Sequence, residues 1–248
     1  MNKNLLITGA SRGIGAATAI LAAQNGYRVC INYRHNKKAA EEISQEIISH
    51  GGTTCCIQAD ISQEDDVLKL FKEMENQLGS ITHLVNNAGI LETQTRLENI
   101  DVDRFHRILN TNVIGSFLCS REAIKVMSIK NGGLGGAIVN VSSGASKLGS
   151  PNEYIDYAAS KGAIDTMTIG LAKEVAEDGI RVNAVRPGYI YTDMHTDGGE
   201  PDRVNRVKEF VPMKRGGHPE EVAKAILWLL SDDASYTTGS FIDVMGGK

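Results

Sequence analysis

The sequence predicts an α/β fold in which a parallel sheet carries helices on both faces, and three observations predict it. Short apolar runs alternate with amphipathic helical stretches along the whole chain. A glycine cluster, Thr8-Gly9-Ala10-Ser11-Arg12-Gly13-Ile14-Gly15, stands between the first apolar run and the first helical stretch. The 248 residues contain no linker, repeat or low-complexity tract, and read as one domain over 1–248.

Leu5-Leu6-Ile7, bounded by Thr8-Gly9, reads as a buried strand. From Ile14 to Gln24 apolar residues recur at helical spacing (Ile14, Ala17, Thr18, Leu21, Ala22), and Gly26 follows as a stop. Arg28 to Tyr33 is the second strand. Asn36 to His50 is an amphipathic helix on Ala39, Ile43 and Ile47, closed by Gly51-Gly52. Thr53 to Gln58 is the third strand. Ser62 to Leu78 is the third helix, with Ser62 as its N-cap, and Ile81 to Asn86 is the fourth strand.

The second half continues the alternation. Asp101 to about Ile129 reads as one long helix, Ala137 to Ser142 as a strand, Ile155 to Glu177 as a helix and Ile180 to Arg186 as a strand. Pro219 to Leu230 is a helix opened by proline at its first turn, and Phe241 to Val244 is the last strand. One long irregular stretch remains, 188–217. Loops of that length in compact domains are commonly functional lids, and this one is read as a substrate lid.

Composition narrows the partners. With 26 basic and 30 acidic residues the net charge is −4, and no stretch is strongly basic, which argues against nucleic acid. No apolar run approaches the ~18 residues of a membrane span. Met1-Asn2-Lys3-Asn4 leads straight into the first strand, without the apolar stretch and cleavage site of a signal peptide. Cys30, Cys55, Cys56 and Cys119 lack metal-ligand spacing and read as reduced thiols of a cytoplasmic protein.

The glycine cluster carries the first chemical signal. Glycines at a strand–turn–helix junction permit a tight turn and let the backbone approach a pyrophosphate, which the helix N-terminus stabilises. Dinucleotide sites that prefer NAD place an acid about 20 residues further on, at the end of the second strand. Here Tyr33 and Arg34 occupy that place. Arg34, joined by Arg12, suits a 2′-phosphate instead, and NADP is favoured over NAD. Farther along, Tyr157 and Lys161 are four residues apart, about 6 Å on one helix face. A phenol titrates near 10, and a cation beside it brings that value toward neutrality.

Taken together and in order, the motifs resemble the short-chain dehydrogenase/reductase family over nearly the whole chain. The matching segments are the glycine loop, Asp60 after the third strand, Asn86-Asn87-Ala88-Gly89 after the fourth, Asn112 in Asn112-Val113-Ile114-Gly115, Ser143 after the fifth, Tyr157 with Lys161, and Pro187-Gly188 followed by Thr192. The resemblance implies a Rossmann-type, doubly wound, seven-stranded parallel sheet and hydride transfer between NAD(P) and an alcohol or carbonyl. Tyr157 would be the proton donor in reduction. Lys161 would lower its pKa and bind the nicotinamide ribose, Ser143 would polarise the carbonyl, and Asn112 would position a water linking Lys161 to solvent. Family members place the serine directly before the loop leading to the tyrosine, which selects Ser143 over Ser142. The spacing from Ser143 to Tyr157 is one residue longer than the commonest pattern.

The same resemblance assigns cofactor contacts to Gly9, Ser11, Arg12, Gly13, Ile14 and Gly15, and to Tyr33 and Arg34. It places Asp60 and Ile61 near the adenine and Asn87, with Ala88 and Gly89, near the ribose. Pro187, Gly188, Ile190 and Thr192 fall near the carboxamide. It also implies a homotetramer packed through the long helix from Asp101, the catalytic helix and the strand Phe241 to Val244. No metal is expected. His195, with Asp193 and Glu200 nearby, reads as a solvated lid residue, and Trp228, beside Ile226 and Leu229-Leu230, as core or subunit interface.

Within the family the chain resembles bacterial glucose 1-dehydrogenase-like members. The loop between Ser143 and Tyr157 and the lid segment Thr192 to Thr196-Asp197 are polar, which suits a small polar alcohol or carbonyl such as a sugar. The alternative is a 3-oxoacyl-[acyl-carrier-protein] reductase. Such enzymes need basic residues to dock an acidic carrier. Gly132-Gly133-Leu134-Gly135-Gly136 and Glu177-Asp178 occupy the places where arginines are expected, although Lys125 and Lys130 compensate in part. A non-catalytic NADP sensor or scaffold is a further alternative, and retention of all four catalytic positions stands against it.

Overall fold

The computed structural model describes residues 3–248; Met1 and Asn2 lie outside the described residues. Seven parallel strands form one sheet in the order β3-β2-β1-β4-β5-β6-β7. They are β1 (Lys3–Ile7), β2 (Tyr27–Tyr33), β3 (Thr54–Gln58), β4 (His83–Asn86), β5 (Gly136–Val141), β6 (Ile180–Pro187) and β7 (Phe241–Val244). The helices are α1 (Gly13–Gln24), α2 (Lys37–Ser49), α3 (Glu64–Leu78), α4 (Val102–Leu109), α5 (Gly115–Met127), α6 (Ala145–Leu148), α7 (Ile155–Glu174), α8 (Met194–Asp197), α9 (Arg203–Val207) and α10 (Pro219–Leu230).

The strands read as continuous apolar runs because both faces are covered. Alternate residues supply the two cores. Leu5, Ile7, Val29, Ile31, Val85, Val139 and Val185 pack with Ala19 and Ala22 of α1, Ile47 of α2 and Val222 and Ile226 of α10. Leu6, Cys30, Leu84, Ile138 and Val182 pack with Val67, Leu70 and Met74 of α3, Cys119 and Ala123 of α5 and Ala172 of α7. Strand order reverses between β1 and β4, which opens a crevice at their C-terminal ends.

Several elements differ from expectation. α3 begins at Glu64, not Ser62. The Ser62 amide and hydroxyl both donate to Asp60 Oδ1, at 3.0 and 2.7 Å, so this serine shapes the turn instead of capping the helix. The stretch from Asp101 is not one helix: a π-helical segment, Asn110–Ile114, separates α4 from α5. Such segments put one extra residue into a turn and occur often at functional sites. α7 stops at Glu174, and a separate 3₁₀ turn spans Ala176–Asp178. The stretch 188–217 is not irregular: it holds α8, α9 and a 3₁₀ turn at Lys208–Phe210. Trp228 is 42% exposed on the outer face of α10, which excludes it from the core. No helix of the described residues is long and apolar enough to cross a membrane.

Candidate active site

Three side chains with acid–base potential meet in the crevice. β5 ends at Val141, so Ser143 emerges just past its C-terminal edge, and α7 presents Tyr157 and Lys161 one turn apart. Ser143, Tyr157 and Lys161 line one cavity. Lys161 is buried, and its Nζ donates to the Val141 carbonyl at 2.8 Å. Burial drives its pKa down to about 8, opposed in part by the charge of Asp165.

The tyrosine does not follow expectation. Burial raises Tyr157 above the ordinary phenol value, and a hydrogen bond with Ser143 and the charge of Arg203 pull it back. Lys161 Nζ lies 5.7 Å from the Tyr157 ring centroid, committed to a backbone carbonyl. Arg203 is thus one cation whose charge favours the phenolate.

Asn112 is wholly buried behind this group, in the π-helical segment. Its Oδ1 accepts from Ile90 N at 2.8 Å, and its Nδ2 donates to Ile90 O and Ser160 Oγ, each at 3.1 Å. The side chain is spent on fixing α7 and the segment after β4. Ser142 behaves as a local strand-end hydroxyl, donating to Asp165 Oδ1 at 2.6 Å, and Asp165 in turn pairs with Arg186 at 3.0 Å.

The glycine loop forms a cradle that side chains would fill. Gly9 has φ +62°, and a Cβ there would stand 2.9 Å from the Ala88 Cα. A Cβ on Gly15 would stand 2.6 Å from Asn87 Nδ2 and 2.7 Å from the Gly9 carbonyl oxygen. Gly13 (φ +56°) faces Thr192. α1 has neither a capping side chain nor an acid in its first turn, so its leading N–H groups have no side-chain acceptor. Close backbone approach beside an uncapped helix N-terminus fits a dinucleotide pyrophosphate.

Ile14, Asn87, Pro187, Gly188, Ile190 and Thr192 line the same cavity as the acid–base group. Asn87 Nδ2 donates to the Thr8 and Gly9 carbonyls at 2.9 and 3.0 Å, so it braces the glycine loop. Ala88 N donates to Thr8 Oγ1 at 3.0 Å, and Gly89 leaves room for Lys161 Nζ, 3.5 Å from where its Cβ would be. At the other end, Arg34 Nε pairs with Asp60 Oδ2 at 2.9 Å. Arg12, next to the partly exposed Ser11, pairs with Asp197 of the lid. Two of the expected cofactor contacts, Tyr33 and Ile61, have inward-packed side chains. Tyr33 is buried in the core, and the Ile61 side chain packs against Gly115.

A family model described as enoyl-(acyl carrier protein) reductase matches residues 9–248. A solved short-chain type dehydrogenase/reductase from Mycobacterium marinum superposes with a TM-score of 0.92 at 36% identity, covering 99% of this chain and 94% of that one. The chain belongs to the short-chain dehydrogenase/reductase family. It is an NAD(P)-dependent oxidoreductase. Among curated relatives of this dehydrogenase/reductase, "Uncharacterized oxidoreductase YgfF" of Escherichia coli K12 is 62% identical over 98% of each chain. A "3-oxoacyl-[acyl-carrier-protein] reductase FabG" of Staphylococcus epidermidis is 38% identical over 100% of this chain and 99% of its own.

The lining of the cavity differs from what loop polarity suggested. Between Ser143 and Tyr157 only Gly144, Ala145, Leu148, Ser150 and Tyr154 line it. Apart from Ser150, most polar residues of that loop are engaged elsewhere. Lys147 pairs with Asp243, Asn152 accepts from Arg96, Glu153 binds Arg203, and Asp156 forms a buried pair with Arg104 at 2.6 Å. Leu91, Met194 and Met245 add apolar wall. His195 is not solvated: one ring nitrogen contacts the Ile190 carbonyl at 3.1 Å. That contact makes Nε2 the N–H and leaves Nδ1, buried and without a protein partner among the described residues, as an acceptor. Arg203 escaped the sequence reading altogether, because its partner Glu153 is 50 residues away and α9 is only 5 residues long.

Proposed function

We propose that the protein reduces small carbonyl compounds with NADPH, by a reversible hydride transfer for which Ser143, Tyr157 and Lys161 supply the acid–base chemistry. The observation that carries this reading is the convergence of those three side chains with Ile190 and Thr192 in one cavity. When bound, the nicotinamide supplies the hydride in reduction and accepts it in oxidation. Ser143 Oγ holds the carbonyl oxygen, and Tyr157 Oη gives that oxygen a proton. The phenol is in its protonated form at neutral pH, the form a donor needs. Lys161 holds the ribose and restores the proton, at a pKa of about 8 that suits a relay near neutrality. The amide of Asn112 is fully used and its backbone carbonyl accepts from Ser116 Oγ at 3.2 Å, so a relay water would take that carbonyl's second lone pair.

The preference for the 2′-phosphate rests on Arg34, whose guanidinium is half exposed at the end of β2 where no acid stands. Asp60 holds its Nε and leaves its outer nitrogens for a phosphate. Against carrier-protein docking, the two lysines that might have replaced the missing arginines are tied up: Lys130 binds Asp178 at 2.6 Å and Lys125 binds Glu122 at 2.8 Å. Exposed Val102, Ile114, Phe117 and Ile169 on α4, the π-helical segment, α5 and α7 support self-association, for which we retain the homotetramer.

Two substitutions test the reading. Tyr157→Phe should keep NADPH binding and lose turnover by about 10²–10⁴; unchanged turnover refutes the mechanism. Arg34→Asp should weaken NADPH at least tenfold, as expected for a charge-assisted bond worth about 1.5–3 kcal/mol, and spare NADH. Equal NADPH affinity refutes the cofactor assignment.

A further inference from the structure

The charged residues that line the cavity are Lys161, Arg203 and Lys248, and no aspartate or glutamate does. Arg203 comes from α9 in the lid and is 5% exposed. Its guanidinium carbon stands 4.6 Å from the Tyr154 ring centroid and 5.6 Å from that of Tyr189. Glu153 and Glu200 hold its two outer nitrogens, and the more exposed Arg206 shares both carboxylates. The four groups are neutral as a set, with Arg203 turned to the cavity. An arginine has five N–H groups. Two are used in these bonds, so three have no protein acceptor among the described residues.

A held guanidinium with donors to spare matches a carboxylate in shape and charge. A polyol carries no charge to match that guanidinium. Leu91, Leu148 and Met245 add apolar wall to the cavity that Arg203 shares with Ser143 and Tyr157. We propose that Arg203 is a specificity-determining residue, and that the substrate is an oxo acid with an apolar body whose carboxylate binds Arg203. The oxo acid takes a hydride at its carbonyl carbon and a proton at its oxygen, leaving as the hydroxy acid. This rests on the cavity being a carbonyl-reducing site.

The test measures NADPH oxidation with phenylpyruvate, benzoylpropionate, the methyl ester of each, and butyrophenone. The wild type should favour at least one acid over its ester about tenfold or more in kcat/KM, mainly through KM, as one charge-assisted contact allows. Arg203→Gln should lower that acid-to-ester ratio about tenfold, and Arg203→Lys should restore part of it. The ratio is taken within each variant, so a general loss of packing does not move it. A wild-type ratio near one for both acids overturns the proposal, as does a ratio that Arg203→Gln leaves unchanged. If the glutamine variant fails to fold, the wild-type and lysine ratios decide. Reduction of the esters or butyrophenone with a ratio near one overturns the Arg203 assignment alone. Reduction of none of the five overturns the carbonyl-reductase reading with it.

Discussion

Replacing Lys161 by methionine separates what this side chain does for chemistry from what it does to the fold. The ammonium is buried, with the Val141 carbonyl as its hydrogen-bond acceptor. Its pKa falls from 10.5 to about 8, mainly through burial. At about 1.4 kcal/mol per pKa unit, keeping the charge inside costs the folded state about 3 kcal/mol. Methionine matches the length and removes the charge, at the loss of one charge-assisted hydrogen bond worth about 1.5–3 kcal/mol. The net expectation for Lys161→Met at neutral pH is a gain of about 0–1.5 kcal/mol, or up to about 6 °C in Tm for a chain of this size. The sign of the pH dependence follows from the same shift. Between about 8 and 10.5 the unfolded chain holds the proton that the folded chain has released, so wild-type stability rises with pH across that window. The variant lacks this rise. Denaturant unfolding of the cofactor-free protein between pH 7 and about 10 measures both effects, and NADPH turnover should fall by about 10²–10⁴. A variant less stable than wild type at neutral pH, or one that keeps the wild-type slope above 8, refutes the reasoning.

Three further outcomes are expected. Asp156→Asn strands the Arg104 guanidinium in a site where the two side chains are 8% and 1% exposed, and should cost about 3–5 kcal/mol in denaturant unfolding. Gly15→Ala drives a methyl into Asn87 Nδ2 and the Gly9 carbonyl, so NADPH affinity measured by fluorescence titration should fall at least tenfold while the far-UV circular dichroism stays native. His83 is held down to about 4, chiefly by burial and secondarily by Lys3 and Arg181, so the unfolded chain takes up its proton first as pH falls. Stability should drop between about 6.5 and 4 by up to about 1.4 kcal/mol per pH unit, and His83→Phe should flatten that part of the Tm profile.

The sheet was legible because both of its faces are buried. Runs such as Leu5-Leu6-Ile7 and Val182 to Val185 have no polar residue on either side apart from Asn183, so little but a doubly covered strand suits them. The glycine loop was legible because φ near +60° at Gly9 and Gly13 needs the residue that tolerates it. Other features depend on partners far away in sequence. The break at Asn110–Ile114 is set by the bonds of Asn112 to Ile90 and Ser160, which helical periodicity does not register. Ser62 had the composition of a cap, but Asp60 two residues earlier captured its hydroxyl. The loop before Tyr157 is polar in composition and apolar toward the cavity, because Arg96, Arg104, Arg203 and Asp243 draw its polar groups away.

The place of β1 in the sheet has a consequence during synthesis. β2 follows β1 closely and covers one of its edges, but the other edge must wait for β4, which starts at His83. At the usual ~5–20 residues per second, the ribosome needs about 3–11 s to go from the start of β2 to the start of β4. For that interval Leu5, Leu6 and Ile7 present an unpaired, wholly apolar strand edge. An interior strand of the finished sheet is thus open for a time to pairing with the wrong neighbour, and a chaperone that shields about the first eighty residues would protect the strand that carries the glycine loop.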